Sequence, residues 1–218
     1  MNAVVHGLAV ALACALAAGS ASAGGLESLE AFLKTVASGR AEFTQVVTMP
    51  ARDGQAARTK SSSGSFEFSR PNRFRFSYRK PFEQTIVADG QTLWLYDADL
   101  NQVTARKQAQ ALGATPAALI AAAPDLRALQ AEFSLQAAPA QEGMDWVLAT
   151  PKSKEGQLQS VRLGFSIGGP VAALTVLEIL DSFGQRSVLR FGQVEVNPAL
   201  AASTFVFKPP PGADLLRQ

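Results

Sequence analysis

From position 73 to 79 the chain alternates with period two. Phe74, Phe76 and Tyr78 fall on one parity, and Arg73, Arg75, Ser77 and Arg79 on the other. Successive side chains of a strand point to opposite faces, so the pattern predicts a strand with aromatics on one side and arginines on the other. Phe66 and Phe68 share a parity in the run before it. Strand-like runs cover 41–49, 64–69, 73–79, 84–88, 91–96, 132–136, 145–150, 158–165, 171–180, 187–196 and 205–207. The polar, Ser-rich stretch 51–63 reads as a hairpin loop. Asp89-Gly90 between two apolar runs is a hairpin signal, with Ile86 set opposite Leu93 and Val87 opposite Thr92. Helical spacing occurs in two places. Leu26, Leu29, Phe32, Leu33 and Val36 recur on one face, and Gly39 follows as a stop. Thr115-Pro116 opens a short Ala-rich helix, Thr as N-cap and Pro at the first helical position. Leu119 and Ile120 are its only large apolar residues, Pro124 ends it, and 125–131 supplies a further turn or two.

Many short strands with turn signals predict an antiparallel sheet curling into a barrel or half-barrel. Its middle strands are apolar on both faces: Leu93 and Leu95 lie on one, Trp94 and Tyr96 on the other. A sheet with one solvated face would alternate cleanly. Two architectures remain: a closed barrel with a packed core, or a mainly β, incomplete antiparallel barrel whose inner face is a hydrophobic cavity under the two helices. In the second, Phe66, Phe68, Phe74, Phe76 and Tyr78 present one apolar surface, and Leu119 and Ile120 cover it. Ile86, Leu93 and Trp94 are further candidates whose face the pattern leaves open. Arg70 shares the parity of Phe66 and Phe68 at the strand end before Pro71. It is either a strand-end arginine reaching water along its stem or a latch, whose five donors hold carbonyls left over at the end of a covering helix.

With 218 residues, the chain is long enough for one domain with a real core. At 47% hydrophobic and 17% charged it is not a disordered chain. A net charge of +2 does not favour polyanions, and the alternation parts the arginines from the aromatics that a base-stacking surface would combine. Nucleic acid is therefore not expected. Residues 1–23 contain no Lys, Arg, Asp or Glu; their apolar run 8–18 is too short to span a bilayer, and Ala21-Ser22-Ala23 has the form of a cleavage site. They read as a secretory signal cut before Gly24, leaving one domain over 24–218, although the usual basic residues at the start are missing. A rival reading is lipidation at Cys14, where Ala11 stands in place of the usual leucine. Cleavage before Gly24 removes the single Cys and the single His. Disulfides, Cys or His nucleophiles and the usual zinc sites are then excluded, and no cofactor is expected. Asp97 and Asp99 read as a turn, and Ser61-Ser62-Ser63 has no histidine to activate it. A hydrolase therefore lacks its machinery.

The chain resembles the periplasmic outer-membrane lipoprotein carrier family, LolA. The resemblance lies in Phe68-Ser69-Arg70-Pro71-Asn72-Arg73-Phe74, in the run from Ile86 through Asp89-Gly90 to Tyr96, in Gly113-Ala114-Thr115-Pro116, and in Phe205-Val206-Phe207-Lys208-Pro209-Pro210. Order and spacing hold over nearly all of 24–218. It implies an incomplete barrel with a helical lid over a hydrophobic cavity. It further implies that Arg70 bonds the lid when closed, and that Phe74 lies in the region used for partner transfer. The expected function is that of a monomeric periplasmic carrier. It takes acylated lipoproteins from an inner-membrane ABC transporter that releases them and hands them to an outer-membrane lipoprotein receptor. A carrier of free lipid or glycolipid with a similar fold is the alternative.

Overall fold

A computed structural model describes residues 24–51, 54–111, 123, 125–154, 156–166 and 171–218. The strands are β1 (Ser38–Met49), β2 (Arg58–Ser69), β3 (Arg73–Lys80), β4 (Gln84–Asp89), β5 (Thr92–Asp97), β6 (Gln102–Lys107), β7 (Phe133–Gln141), β8 (Met144–Pro151), β9 (Leu158–Ser166), β10 (Leu174–Asp181), β11 (Arg186–Val196) and β12 (Asp214–Arg217). Helices are α1 (Gly24–Thr35), α2 (Gln108–Ala111) and α3 (Leu126–Glu132), the last N-capped by the Asp125 carboxylate on the Ala128 amide. All twelve strands join one sheet in the order β12-β6-β5-β4-β3-β2-β1-β11-β10-β9-β8-β7. Every pairing is antiparallel except β12 with β6. The sheet ends at β7 and β12, which do not pair among the described residues, so the barrel is incomplete.

One side chain measures how far the sheet curls. The Phe32 ring of α1 lies 6.2 Å from Phe68 on β2 and 5.6 Å from Phe165 on β9. Those strands are four spacings apart in the sheet order, about 19 Å if it were flat. One ring touches both because the sheet wraps around α1. The helix packs Leu29, Phe32 and Leu33 inward, and with Val36 just after it they join Phe43, Phe66, Phe68, Phe74, Phe76, Phe165 and Phe191 in one core cluster.

Four sequence expectations change. Residues 58–63 are strand rather than loop, because β1 continues to Met49 and pairs residue by residue with 58–69. In the hairpin at Asp89-Gly90, Ile86 stands opposite Leu95, Val87 opposite Trp94 and Ala88 opposite Leu93. The two-residue loop is Gly90-Gln91, with Gly90 at φ +105, which a residue carrying Cβ adopts only under strain. The turn is therefore one residue later than the Asp-Gly signal suggested. Residues 205–207 are not a strand: 202–205 form a 3-10 turn. Strands β6 and β12 have no strong apolar alternation and were not anticipated. The Thr115-Pro116 helix with Leu119 and Ile120 lies outside the described residues.

The apolar convex face of the middle strands is covered from the carboxyl end. Phe207 stacks within 5.4 Å of Trp94 and 6.2 Å of Tyr96. Phe205 is buried, with the Arg73 guanidinium 5.6 Å from its ring. Arg75 donates to the Thr204 carbonyl at 3.4 Å. The outward arginines of β3 thus fasten the tail that lies over this face.

Candidate functional site

The concave face carries the aromatics that the alternation grouped. Phe66, Phe68, Phe74 and Phe76 are 3%, 5%, 0% and 4% exposed. Phe66 stacks on Phe76 at 4.3 Å and on Phe68 at 5.7 Å, and Phe43 meets Phe76 edge-on at 5.5 Å. Ile86 and Leu93 are partly buried against the same cluster. Tyr78 marks its polar border: its ring lies 5.0 Å from Phe43, and its hydroxyl donates to Gln45 Oε1 at 2.9 Å. Burial pushes the Tyr78 phenol up to about 12. Trp94 is not part of this surface. It shares the convex parity of Val87, so its indole donates to Asp89 Oδ2 at 2.9 Å and its ring meets Phe207. Phe74, implied in transfer, has no exposed surface in this state.

Between α1 and strands β1, β2 and β11 there is an apolar void of about 20 Å³, lined among others by Phe32, Val36, Phe66, Phe68 and Phe191. That is room for about one water. Among the described residues, Phe66, Phe68, Phe74 and Phe76 pack on one another, and α1 meets this face through Phe32 against Phe68.

Arg70 sits beside that contact. Its Nη1 donates to the Leu33 carbonyl at 3.0 Å, in the last turn of α1. Its guanidinium lies 4.9 Å from the Phe32 ring and 5.8 Å from the Phe68 ring. Burial pushes Arg70 down to about 10, which leaves it charged at neutral pH. The Leu33 carbonyl needs an outside donor because the helix ends there. Ala37, whose N–H would continue the ladder, donates instead to Asn197 Oδ1 at 2.7 Å.

Two residues that sequence reasoning missed complete this end. Asn197, at φ +54 after β11, also donates through Nδ2 to the Thr35 carbonyl at 2.8 Å. In the sequence, Asn197-Pro198 reads only as a strand breaker. Buried Gln108 donates to the Asn72 carbonyl at 2.7 Å and accepts from the Gly90 amide at 2.9 Å. It ties the turn that carries Arg70 to the β4–β5 turn, and nothing near it in the sequence marks it for that role.

The Asp89 carboxylate is a second electrostatic feature of this rim. Burial raises it, but N–H donors from Thr92, Trp94 and Gln91 outweigh that and hold it below the usual carboxylate range. A depressed carboxylate contributes stability above its unfolded value, about 3.9, and the contribution is lost as pH falls through the folded value. Acid titration is expected to shift the Trp94 indole N–H resonance below about pH 4 and leave that of Trp146, bound to the Gln141 carbonyl, in place. In Asp89→Ala the Trp94 step should be absent.

The model of the family described as "Outer membrane lipoprotein carrier protein LolA" matches residues 34–208. A protein of Albidiferax ferrireducens named outer-membrane lipoprotein carrier protein is 71% identical over 201 residues, 92% of this chain and 94% of its own. One of the same name from Methylibium petroleiphilum is 54% identical over 206 residues, 94% of this chain and 96% of its own. In fold alone, a DUF1329 family protein from Desulfovibrio piger is similar at TM-score 0.51 and 11% identity, over 84% of this chain and 97% of that one.

Proposed function

Because the chain belongs to the family of the outer-membrane lipoprotein carrier protein LolA, we propose that it shields the acyl chains of lipoproteins and carries them across the periplasm. The observation that carries this reading is the aromatic concave face packed against α1, with Arg70 bonded to the helix's last turn. A sixteen-carbon acyl chain represents roughly 12 kcal/mol of buried methylene at ~0.8 per group. A lipoprotein with two or three such chains does not leave a membrane unaided. Phe66, Phe68, Phe74 and Phe76, with Tyr78, Ile86 and Leu93 at the margin, offer the replacement surface once α1 lifts.

Closing and filling are competing states of one surface. With α1 seated, the phenylalanines pack on each other and on the helix; with cargo bound, they pack on acyl chains. The carrier can therefore release cargo without a reaction of its own, since closure recovers apolar burial that release gives up. Loading falls to an inner-membrane ABC transporter and unloading to an outer-membrane receptor, and Phe74 becomes available for the handover only in the open state. Residues 1–23 direct export and are removed before Gly24. No described helix is long and apolar enough to cross a membrane.

The test is mass spectrometry of what co-purifies with the protein from the cell envelope. Acylated proteins are expected, together with an intact carrier mass beginning at Gly24. Free lipid or glycolipid without protein would replace this reading with the alternative carrier.

A further inference from the structure

We infer that the α-ammonium group created by cleavage before Gly24 is held by the Asp145 carboxylate, so that removal of residues 1–23 adds a charged anchor to the first turn of α1. The inference rests on the cleavage reading above. Asp145, on β8, accepts from Ser28 Oγ through Oδ2 at 2.7 Å, and its Oδ1 has no hydrogen-bond partner among the described residues. A Cβ placed on Gly24 would lie 2.9 Å from Oδ1 and 3.0 Å from Oδ2. The Gly24 nitrogen is bonded to the same Cα, which places it within about 5.5 Å of Oδ1. On Gly25 a Cβ would lie 2.1 Å from the Trp146 carbonyl oxygen. The two glycines thus let the start of the helix rest directly on β8 beside a carboxylate oxygen that has room for a donor.

Before cleavage, the Gly24 nitrogen offers one N–H and no charge. Afterwards it is an ammonium with three N–H donors, facing a carboxylate that already suits the positive end of the helix. Few other charges lie on the elements around it: α3, which packs on α1, carries Arg127 and Glu132. Glu27 lies in the same first turn of α1, and β7 carries no charged residue. On β9, Arg162 lies 4.5 Å from the Trp146 ring and pairs with Glu178, on the opposite face of β8 from Asp145. The mature helix is then anchored at both ends, by Asp145 at the first turn and by Arg70 and Asn197 at the last. Undoing the Arg70 bond frees the carboxyl end to swing while the amino end stays seated.

The experiment compares two forms of the chain, one starting at Gly24 and one retaining Ala21-Ser22-Ala23 in front of it, each with and without Asp145→Asn. Melting temperatures are read from about pH 6 to pH 10. A free α-amino group has a value near 8 when unfolded, and the carboxylate raises it in the folded state. Its stabilisation is therefore complete below about pH 8 and lost as pH rises through the folded value. The Gly24-starting form is expected to melt several degrees higher at the acid end of that range, with the advantage fading above it. Asp145→Asn should remove the advantage and leave the extended form unchanged; acetylating the Gly24 amine should reproduce the loss without altering a side chain. An equal effect of Asp145→Asn on both forms would reduce Asp145 to a partner of Ser28 and overturn the inference. An envelope-isolated protein that starts elsewhere would overturn the cleavage reading, and the inference with it.

Discussion

Arg70→Leu is expected to leave the protein folded, with a melting point within a few degrees of the parent, and to slow delivery of a bound lipoprotein on the order of tenfold. The substitution removes the donor to the Leu33 carbonyl and the cation from the Phe32 and Phe68 rings. A hydrogen bond to a charged group contributes ~1.5–3 kcal/mol, and a buried carbonyl left without a donor costs ~1–3 kcal/mol. Against this, leucine suits the apolar surroundings, and the penalty of burying a guanidinium, seen in its lowered pKa, disappears. The global balance is small. The closed state, however, loses the bond that ends α1, and closure is what competes with cargo. Each ~1.4 kcal/mol taken from closure tightens cargo retention about tenfold. Lysine lacks the planar fork of donors and should fall between leucine and arginine. The measurement is transfer from a purified carrier–lipoprotein complex to receptor-bearing membranes, with thermal melting of the same variants. Normal delivery with a lowered melting point would make Arg70 a structural residue only.

Phe76→Glu should destabilise the closed protein more than any other single change considered, and do so in a pH-dependent way. Phe76 is buried against Phe66, Phe43 and Phe74. Truncating a buried phenylalanine costs ~3–5 kcal/mol, and a carboxylate in its place adds the cost of a buried charge. That group's folded pKa lies above its unfolded value near 4.3. Its neutral form is tolerated below that pH, and the stability is lost as pH rises through the folded value. Urea midpoints should therefore be higher near pH 4 than at pH 7 for Phe76→Glu, and low but much less pH-dependent for Phe76→Ala. A native midpoint for Phe76→Glu at neutral pH would mean that the aromatic face is already open. Read from the alternation alone, position 76 lines a cavity, and a charge there would cost binding rather than folding. The burial of Phe76 among Phe43, Phe66 and Phe74 instead predicts a cost in folding.

Much of the fold was legible because strand parity is a local property. Phe74, Phe76 and Tyr78 had to share a face whichever strands flanked them, and Arg73 and Arg75 had to share the other. The α1 helix was legible for the same reason, through Leu29, Phe32, Leu33 and Val36 at helical spacing. Even Arg70 was legible as one of two things, a strand-end arginine reaching water along its stem or a donor to carbonyls at the end of a covering helix. Which carbonyl it meets was not, because Leu33 is 37 residues away and its ladder donor is diverted by Asn197, 160 residues from Ala37.

Trp94 shows the boundary from the other side. Its parity separated it from Leu93 and Leu95, but parity has no sign: nothing local says which face is concave. That choice was made when the carboxyl-terminal segment laid Phe205 and Phe207 over Val87, Trp94 and Tyr96, and α1 took the opposite side. Composition and spacing were thus enough for a curled sheet with two apolar faces, a covering helix and an arginine at its lip. The assignment of one face to the core under α1 and the other to the tail, and the closing of the aromatic surface upon itself, came from contacts between segments far apart in the chain, which periodicity does not record.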